Sequence, residues 1–272
     1  FTGAHRDSFA SLDDVQKYYK LHWEDNFNFA YDVIDVLGRE QPDKEAMVWV
    51  SAEGEERRYS FRDMMLWSNR AANYLTSLGI GKGDAVLLVL RRSYLFWFLM
   101  LGLHKIGGIA VQATDMLMEK DYVYRCQAAK ICAVAITDHG DAAERFEAFS
   151  DECPTVRRKL VGGKKQIPGW DNIEEGLAAA SEEWTRPVGE ACPMANDPML
   201  ISFSSGTTGY PKMIYHDFTY PLGHIMTGVF WHCVVDGGLH FTISDTGWLK
   251  SLWGKLYGQW MGESAVLVYD FE

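Results

Sequence analysis

Apolar positions along the chain recur at two spacings, a helical period near 3.6 residues and the short alternating or unbroken runs of strands, and the two take turns. Leu12, Val15, Tyr18 and Tyr19 keep helical spacing, as do Phe29, Val33, Val36 and Leu37, so the stretch up to Pro42 is expected to be mostly helical. The apolar run 46–50 predicts a short strand, paired with 57–59 across a polar turn. Ser60, with Asp63 three residues on, predicts a capped helix. Its buried stripe is Phe61, Met64, Met65, Ala71, Ala72, Leu75 and Leu78, and Gly79 stops it.

Residues 85–90 are apolar without a break, the mark of a parallel strand covered on both faces, and a helix over 94–106 and a strand over 109–111 follow. A helix over 119–129 and a strand over 131–136 repeat the unit, which predicts a parallel sheet with right-handed crossovers. Residues 141–149 read as a helix and 159–161 as a strand. The stretch 162–198, rich in Gly, Pro and acidic residues, is the candidate subdomain boundary, with Trp170 and Trp184 as anchors. Met199, Ile201 and Phe203 alternate as in a half-buried strand. A helix over 220–232, a strand over 240–244, a helix over 248–261 and a strand over 265–269 complete the reading, which puts the loop after Phe203 between a strand and a helix.

This order makes the fold class α/β, with parallel-sheet layers flanked by helices. Three stretches are expected: a helical extension with the first strand (1–56), a first α/β subdomain (57–190), and a loop-bearing region that starts a second α/β subdomain (191–272). Gly79, Gly81 and Gly83 imitate a dinucleotide fingerprint but follow a helix and precede a strand, the reverse of the required order, and so read as a connecting turn.

Composition narrows the class. A chain of 272 residues that is 47% hydrophobic can bury a sizeable core. Its formal net charge of -11 disfavours nucleic acid or an anionic membrane as the main partner. The five cysteines are odd in number and form no Cys-x-x-Cys pair, so neither a disulfide framework nor a zinc site is indicated, and a reducing, cytoplasmic setting is expected. His216, His224, His232 and His240 recur every eight residues, a spacing that does not stack two ligands on one helix face. Phe1 to Phe9 mixes charge and polarity unlike a cleavable leader, and the missing initiator methionine suggests a trimmed start. The longest apolar run, Tyr94 to Leu103, is about half the length needed to span a bilayer.

Chemistry concentrates between Ile201 and His216. Ser204, Ser205, Thr207 and Thr208 supply hydroxyls, while Gly206 and Gly209 let backbone N–H groups approach a bulky anion. Pro211 fixes φ, and Lys212 adds a flexible point charge. A polyphosphate suits these donors. The P-loop pattern Gly-x-x-x-x-Gly-Lys-Ser/Thr does not fit, since Met213 follows Lys212.

Ser204 to Lys212 resembles the phosphate loop of the adenylate-forming superfamily, which contains acyl-CoA synthetases, luciferases and peptide-synthetase adenylation domains. The likeness extends over Tyr59 to Asp84, with Ser60-Phe61-Arg62-Asp63 and Leu78-Gly79-Ile80-Gly81-Lys82-Gly83-Asp84, and on to about Asp138. Ser244-Asp245-Thr246-Gly247-Trp248, Tyr269-Asp270-Phe271 and Met213 are similar to the acetyl-CoA and medium-chain acyl-CoA synthetase branch. The resemblance implies the N-terminal part of an adenylate-forming large domain and an acid–thiol ligase. A carboxylate, of short or medium chain, would attack the α-phosphate of ATP to give acyl-AMP, and coenzyme A would then displace AMP.

On that resemblance Lys212 and Thr208 are the catalytic candidates, and Ser204, Ser205, Gly206, Thr207, Thr208, Gly209 and Lys212 bind the ATP phosphates. Trp248 is the candidate wall of the acyl pocket. Trp253, Tyr257 and Trp260 are weaker ones that helix packing explains as well. Arg125 matches an arginine near coenzyme A phosphate, with an exposed helix arginine as the plain alternative, and His216 is either near the substrates or structural. No metal ligand is assigned. The family's Mg²⁺-binding glutamate, its ribose-binding aspartate and its lid domain with a catalytic lysine are expected beyond position 272, so the chain reads as a fragment, inactive alone. The rival readings are a non-catalytic nucleotide-binding module and carboxylate adenylation without coenzyme A. Acyl chain length and oligomeric state, a homo-oligomer included, are left open.

Overall fold

Strands far apart in sequence share sheets in this chain, and the sharing brings its distant motifs to one edge. The computed structural model describes residues 9–204 and 210–271. The reading of Phe1–Phe9 as no leader falls, but for Phe9, outside the described residues. In order the chain forms α1 (Leu12–Tyr18), a π-helical turn at Ala30–Ile34 that runs into α2 (Asp35–Glu40), β1 (Glu45–Ser51), β2 (Glu56–Ser60) and α3 (Phe61–Ser77). Then come β3 (Ala85–Val89), α4 (Leu95–Ile106), β4 (Ile109–Gln112), α5 (Glu119–Ala128), β5 (Ala133–Thr137), α6 (Ala142–Ala148) and β6 (Arg158–Gly162). The rest is β7 (Asp171–Asn172), α7 (Ile173–Ala179), β8 (Pro198–Ser204), β9 (Lys212–Asp217), α8 (Tyr220–Ile225), β10 (Leu239–Phe241), α9 (Leu249–Gly254), α10 (Tyr257–Met261) and β11 (Ala265–Asp270).

Among the described residues a seven-stranded sheet runs β7-β6-β5-β3-β4-β8-β9 and a four-stranded sheet runs β10-β11-β1-β2. Within the larger sheet only β9 is antiparallel, and in the smaller one only β2 is. Both layers are thus largely parallel, as expected, with one antiparallel strand at an edge of each; the 46–50/57–59 pairing was expected and the antiparallel β9 was not. The unbroken apolar run of β3 has the reason inferred for it: Ala85, Leu87 and Val89 enter one core, and Val86, Leu88 and Leu90 the other.

Ser60 caps α3 as its sequence requires: its Oγ accepts the Asp63 N–H at 3.1 Å while the Asp63 carboxylate accepts the Ser60 N–H at 2.8 Å. Apolar all round, α4 is buried over its whole length and ends at Gly107, whose φ of 73° is left-handed. It crosses α3 so closely that a Cβ on Gly102 would lie 2.5 Å from Ala71 Cβ.

Three local expectations are corrected. The segment after the glycine loop begins as the strand β9, not as a helix, so the loop joins two antiparallel strands. The helix expected over 248–261 is broken at Lys255 and Leu256, whose backbones are not helical. The stretch 162–198 hides a helix, α7, whose first turn is capped by Asn172 accepting the Glu175 N–H at 2.9 Å.

Candidate functional site

All the parallel strands of the larger sheet deliver their carboxyl ends to one edge, where open α/β sheets bind ligands. The β8–β9 hairpin opens at that edge, with Ser204 opposite Lys212 on the last rung. Ser205, Gly206, Thr207, Thr208 and Gly209 lie outside the described residues. Lys212 is exposed, and no ion pair joins it to another described residue.

Two residues of α5 brace the hairpin. The Tyr124 ring stacks on Tyr210 at 4.7 Å, its hydroxyl donates to the Pro211 carbonyl at 2.9 Å, and its edge meets Phe203 at 6.0 Å. Arg125 lies over the Phe203 ring at 5.0 Å with its side chain only 12% exposed, and burial lowers its pKa from the ordinary value. The candidate for coenzyme A phosphate is therefore turned onto the hairpin, with little of the guanidinium facing solvent.

Beside β4, the motif Ser244–Trp248 forms a turn pressed onto the strand end: a Cβ on Gly247 would lie 2.3 Å from the Thr114 nitrogen. Asp245 accepts the Gly247 N–H at 2.8 Å and pairs with Arg92 at 3.3 Å. Trp248 stands before α9 with 57% of its surface exposed, free to meet another group. The other aromatic candidates divide: Tyr257 and Trp260 are core residues, the latter's Nε1 donating to the Ala46 carbonyl at 2.8 Å, and Trp253 stacks on His232. Gln112, Ser202 and Thr246 are buried at or beside this edge with side-chain polar atoms that have no partner among the described residues.

Arg91 and Arg92 stitch the two sheets together, a role that sequence reasoning missed. Arg91 takes a left-handed φ of 41° directly after β3, a conformation that costs about 1 kcal/mol or more for a non-glycine residue. Its guanidinium reaches His139, the Phe271 carbonyl at 2.6 Å and Asp270 at 3.5 Å, while Arg92 reaches Asp245, Asp270 and the Phe271 carbonyl. Burial raises the pKa of Asp270. Lys255, buried nearby, donates to the Ser244 carbonyl at 2.7 Å, and burial pushes its pKa down to about 8. A cleft of about 700 Å³ opens here, lined in part by Arg57, Arg91, Thr137, His139, Lys164 and Asp270. Two adjacent arginines immediately after a buried parallel strand were the available signal, because strand ends are where such sheets work.

His216 sits opposite Leu200, four residues along β9 from Lys212 and thus about 13 Å away, packed on Tyr220 at 4.2 Å. Of the four periodic histidines, His216 and His224 flank Tyr220, and His232 stacks on His240 at 5.1 Å. Among the described residues no group of three or more His, Cys, Asp or Glu could hold a metal ion, and no helix is long and apolar enough to cross a membrane.

Comparison with known proteins places this geometry. The human mitochondrial acyl-coenzyme A synthetase ACSM5 is 34% identical over 251 residues, covering 90% of this chain and 42% of that protein. Human mitochondrial ACSM3 is 30% identical over 269 residues, covering 96% and 45%. The chain thus spans less than half the length of these curated relatives. Among solved structures, the anthranilate CoA ligase AuaEII in complex with anthranoyl-AMP has a TM-score of 0.76 at 21% identity, over 90% of this chain and 45% of that one. An acyl-CoA synthetase of Brucella canis gives 0.76 at 20% identity, over 90% and 43%. These two likenesses show the fold: the chain shares it with somewhat less than half of each of those two chains.

The expected cytoplasmic setting is overturned, because these curated relatives and the others like them are mitochondrial proteins. Cysteine usage separates oxidising from reducing compartments but not one reducing compartment from another. A family model described as AMP-binding enzyme matches residues 35–240, from α2 through the β8–β9 hairpin and into β10, and on that match the chain belongs to the AMP-binding enzyme family.

Proposed function

We propose that the protein containing this chain is an acid–thiol ligase that activates a carboxylic acid with ATP and passes the acyl group to coenzyme A. The observation behind this reading is the cation Lys212, free of any ion pair with another described residue, standing opposite Ser204 at the carboxyl edge of the sheet. The names of the relatives and of the ligands in the solved neighbours agree with it.

In the first step a carboxylate oxygen forms a bond to the α-phosphorus of ATP, and the α–β bridging bond breaks, its electron pair leaving with pyrophosphate. In the second, the coenzyme A sulfur attacks the acyl carbon, AMP leaves with the C–O electron pair, and the thiol proton passes to solvent. Charge builds on the departing pyrophosphate, so donors fixed in advance around it favour the transition state over the ground state. Ser204 and the loop Ser205 to Gly209 are assigned to the β- and γ-phosphates, with Thr208 and Lys212 acting as the bond breaks. Trp248 is assigned to the wall of the acyl pocket. Arg125 is left with only its outer edge for a coenzyme A phosphate. Magnesium is assigned to a glutamate beyond residue 272.

The test is carboxylate-dependent exchange of pyrophosphate into ATP by the full-length protein, across short- and medium-chain acids, followed by mass analysis of products with coenzyme A present. Exchange that needs the acid, with a thioester as product, is the expected result. ATP binding without exchange contradicts it in favour of a nucleotide-binding module, and free acyl-AMP as the final product removes coenzyme A from the reading.

A further inference from the structure

One tyrosine touches both ends of the phosphate loop from outside it. Tyr124 lies on α5, yet its ring meets Phe203 on the strand that enters the loop and stacks on Tyr210 on the segment that leaves it, at 6.0 and 4.7 Å. Its hydroxyl, 87 positions away in sequence, donates to the Pro211 carbonyl at 2.9 Å. That carbonyl and the Lys212 N–H belong to one planar peptide unit, so a hydrogen bond that fixes the first fixes the direction in which the Lys212 Cα leaves it. Pro211 has no N–H of its own to contribute, and Ser204 opposite Lys212 is the last rung of the ladder, where sheet pairing is weakest. Arg125, one residue on along α5, lies over the Phe203 ring at 5.0 Å. The clasp therefore supplies the fixation that the ladder loses at its open end.

We propose that Tyr124 is a positioning residue for Lys212, holding the ammonium group where it meets the polyphosphate; this rests on the adenylation reading above. The stack and the hydrogen bond act on the bound nucleotide only through Lys212. Their loss weakens the grip on ATP and leaves the acid's own pocket alone.

The experiment uses the full-length protein, its Tyr124→Ala variant and its Tyr124→Phe variant, which keeps the ring and loses the hydroxyl. KM and kcat in carboxylate-dependent pyrophosphate exchange are read for ATP and for the acid, together with melting temperature and backbone hydrogen exchange over residues 210–216. Tyr124→Ala is expected to lower kcat/KM for ATP roughly tenfold, from the combined loss of an aromatic stack and a hydrogen bond, with KM for the acid and the melting temperature unchanged. Hydrogen exchange over 210–216 accelerates in the same variant. Tyr124→Phe recovers part of both effects. A parental kcat/KM for ATP in Tyr124→Ala overturns the proposal, as does a fall that comes with a lowered melting temperature and an equally raised KM for the acid, which is the mark of a merely structural tyrosine. If the parent shows no acid-dependent exchange, the adenylation reading falls by itself. The clasp is then decided by hydrogen exchange, where an unchanged rate over 210–216 overturns it.

Discussion

His104 shows how much a single buried side chain reports about the fold. It is fully buried in α4, its Nε2 lies 2.8 Å from the Tyr257 hydroxyl, its ring stacks on that tyrosine, and burial pushes its pKa down to about 3. In the unfolded chain the imidazole takes a proton near its ordinary value, whereas in the folded chain it stays neutral until far lower pH. Stability is therefore lost as pH falls, and His104 alone accounts for about 1.4 kcal/mol between about pH 7.5 and 5.5. His224, pushed down to about 4 by burial and by His216 and His232, acts in the same direction. The expected outcome is a parent whose urea midpoint falls over that window and a His104→Gln variant in which it falls less; equal slopes would contradict the neutral buried state. Nothing around His104 in the sequence announces this. Its partner is 153 positions away, and local patterning carries no information at that range.

Elements whose burial follows a period were legible, and those whose shape is set from outside were not. The unbroken apolar run of β3 and the Ser60–Asp63 cap of α3 were both read correctly, because each depends on residues within a few positions. β9 was not read at all, and the loop was taken to lead on to the helix at 220–232, because β9 is an edge strand with neither face deeply covered, so its six residues show no alternation to read. α7 is only seven residues long, too short for a helical period to stand out among acidic residues. The break before α10 is invisible in an apolar stretch. For the site, Ser204 and Lys212 were named from the sequence, whereas Tyr124, Arg91 and Arg92 act through contacts that only the tertiary fold creates. The α3–α4 crossing offers a test at this scale. Because a Cβ on Gly102 would stand 2.5 Å from Ala71 Cβ, Gly102→Ala is expected to cost about 1–3 kcal/mol by urea unfolding, and pairing it with Ala71→Gly to recover much of that. An undiminished midpoint in Gly102→Ala would show that the helices are not held at this separation.

At the scale of the molecule, the two sheets meet through Arg91 and Arg92, which tie β3 to Asp270 at the end of β11 and to Asp245 in the turn beside β4. The Trp248 turn lies against the end of β4 and the β8–β9 hairpin pairs beside the same strand, so both stand along one edge. Motifs some forty residues apart in sequence thereby reach one sheet edge, the hairpin braced from α5 and the turn pressed onto the end of β4. On the function proposed above, this hairpin grips the triphosphate of ATP while a carboxylate is activated. The most direct measurement is the single-turnover rate of acyl-adenylate formation by the full-length protein and by its Lys212→Ala, Thr208→Ala double variant, each shown to be folded. A fall on the order of 10²–10³ or more is expected, the cost of removing preorganised donors from a developing charge. Acyl-adenylate formed at the parental rate would contradict it.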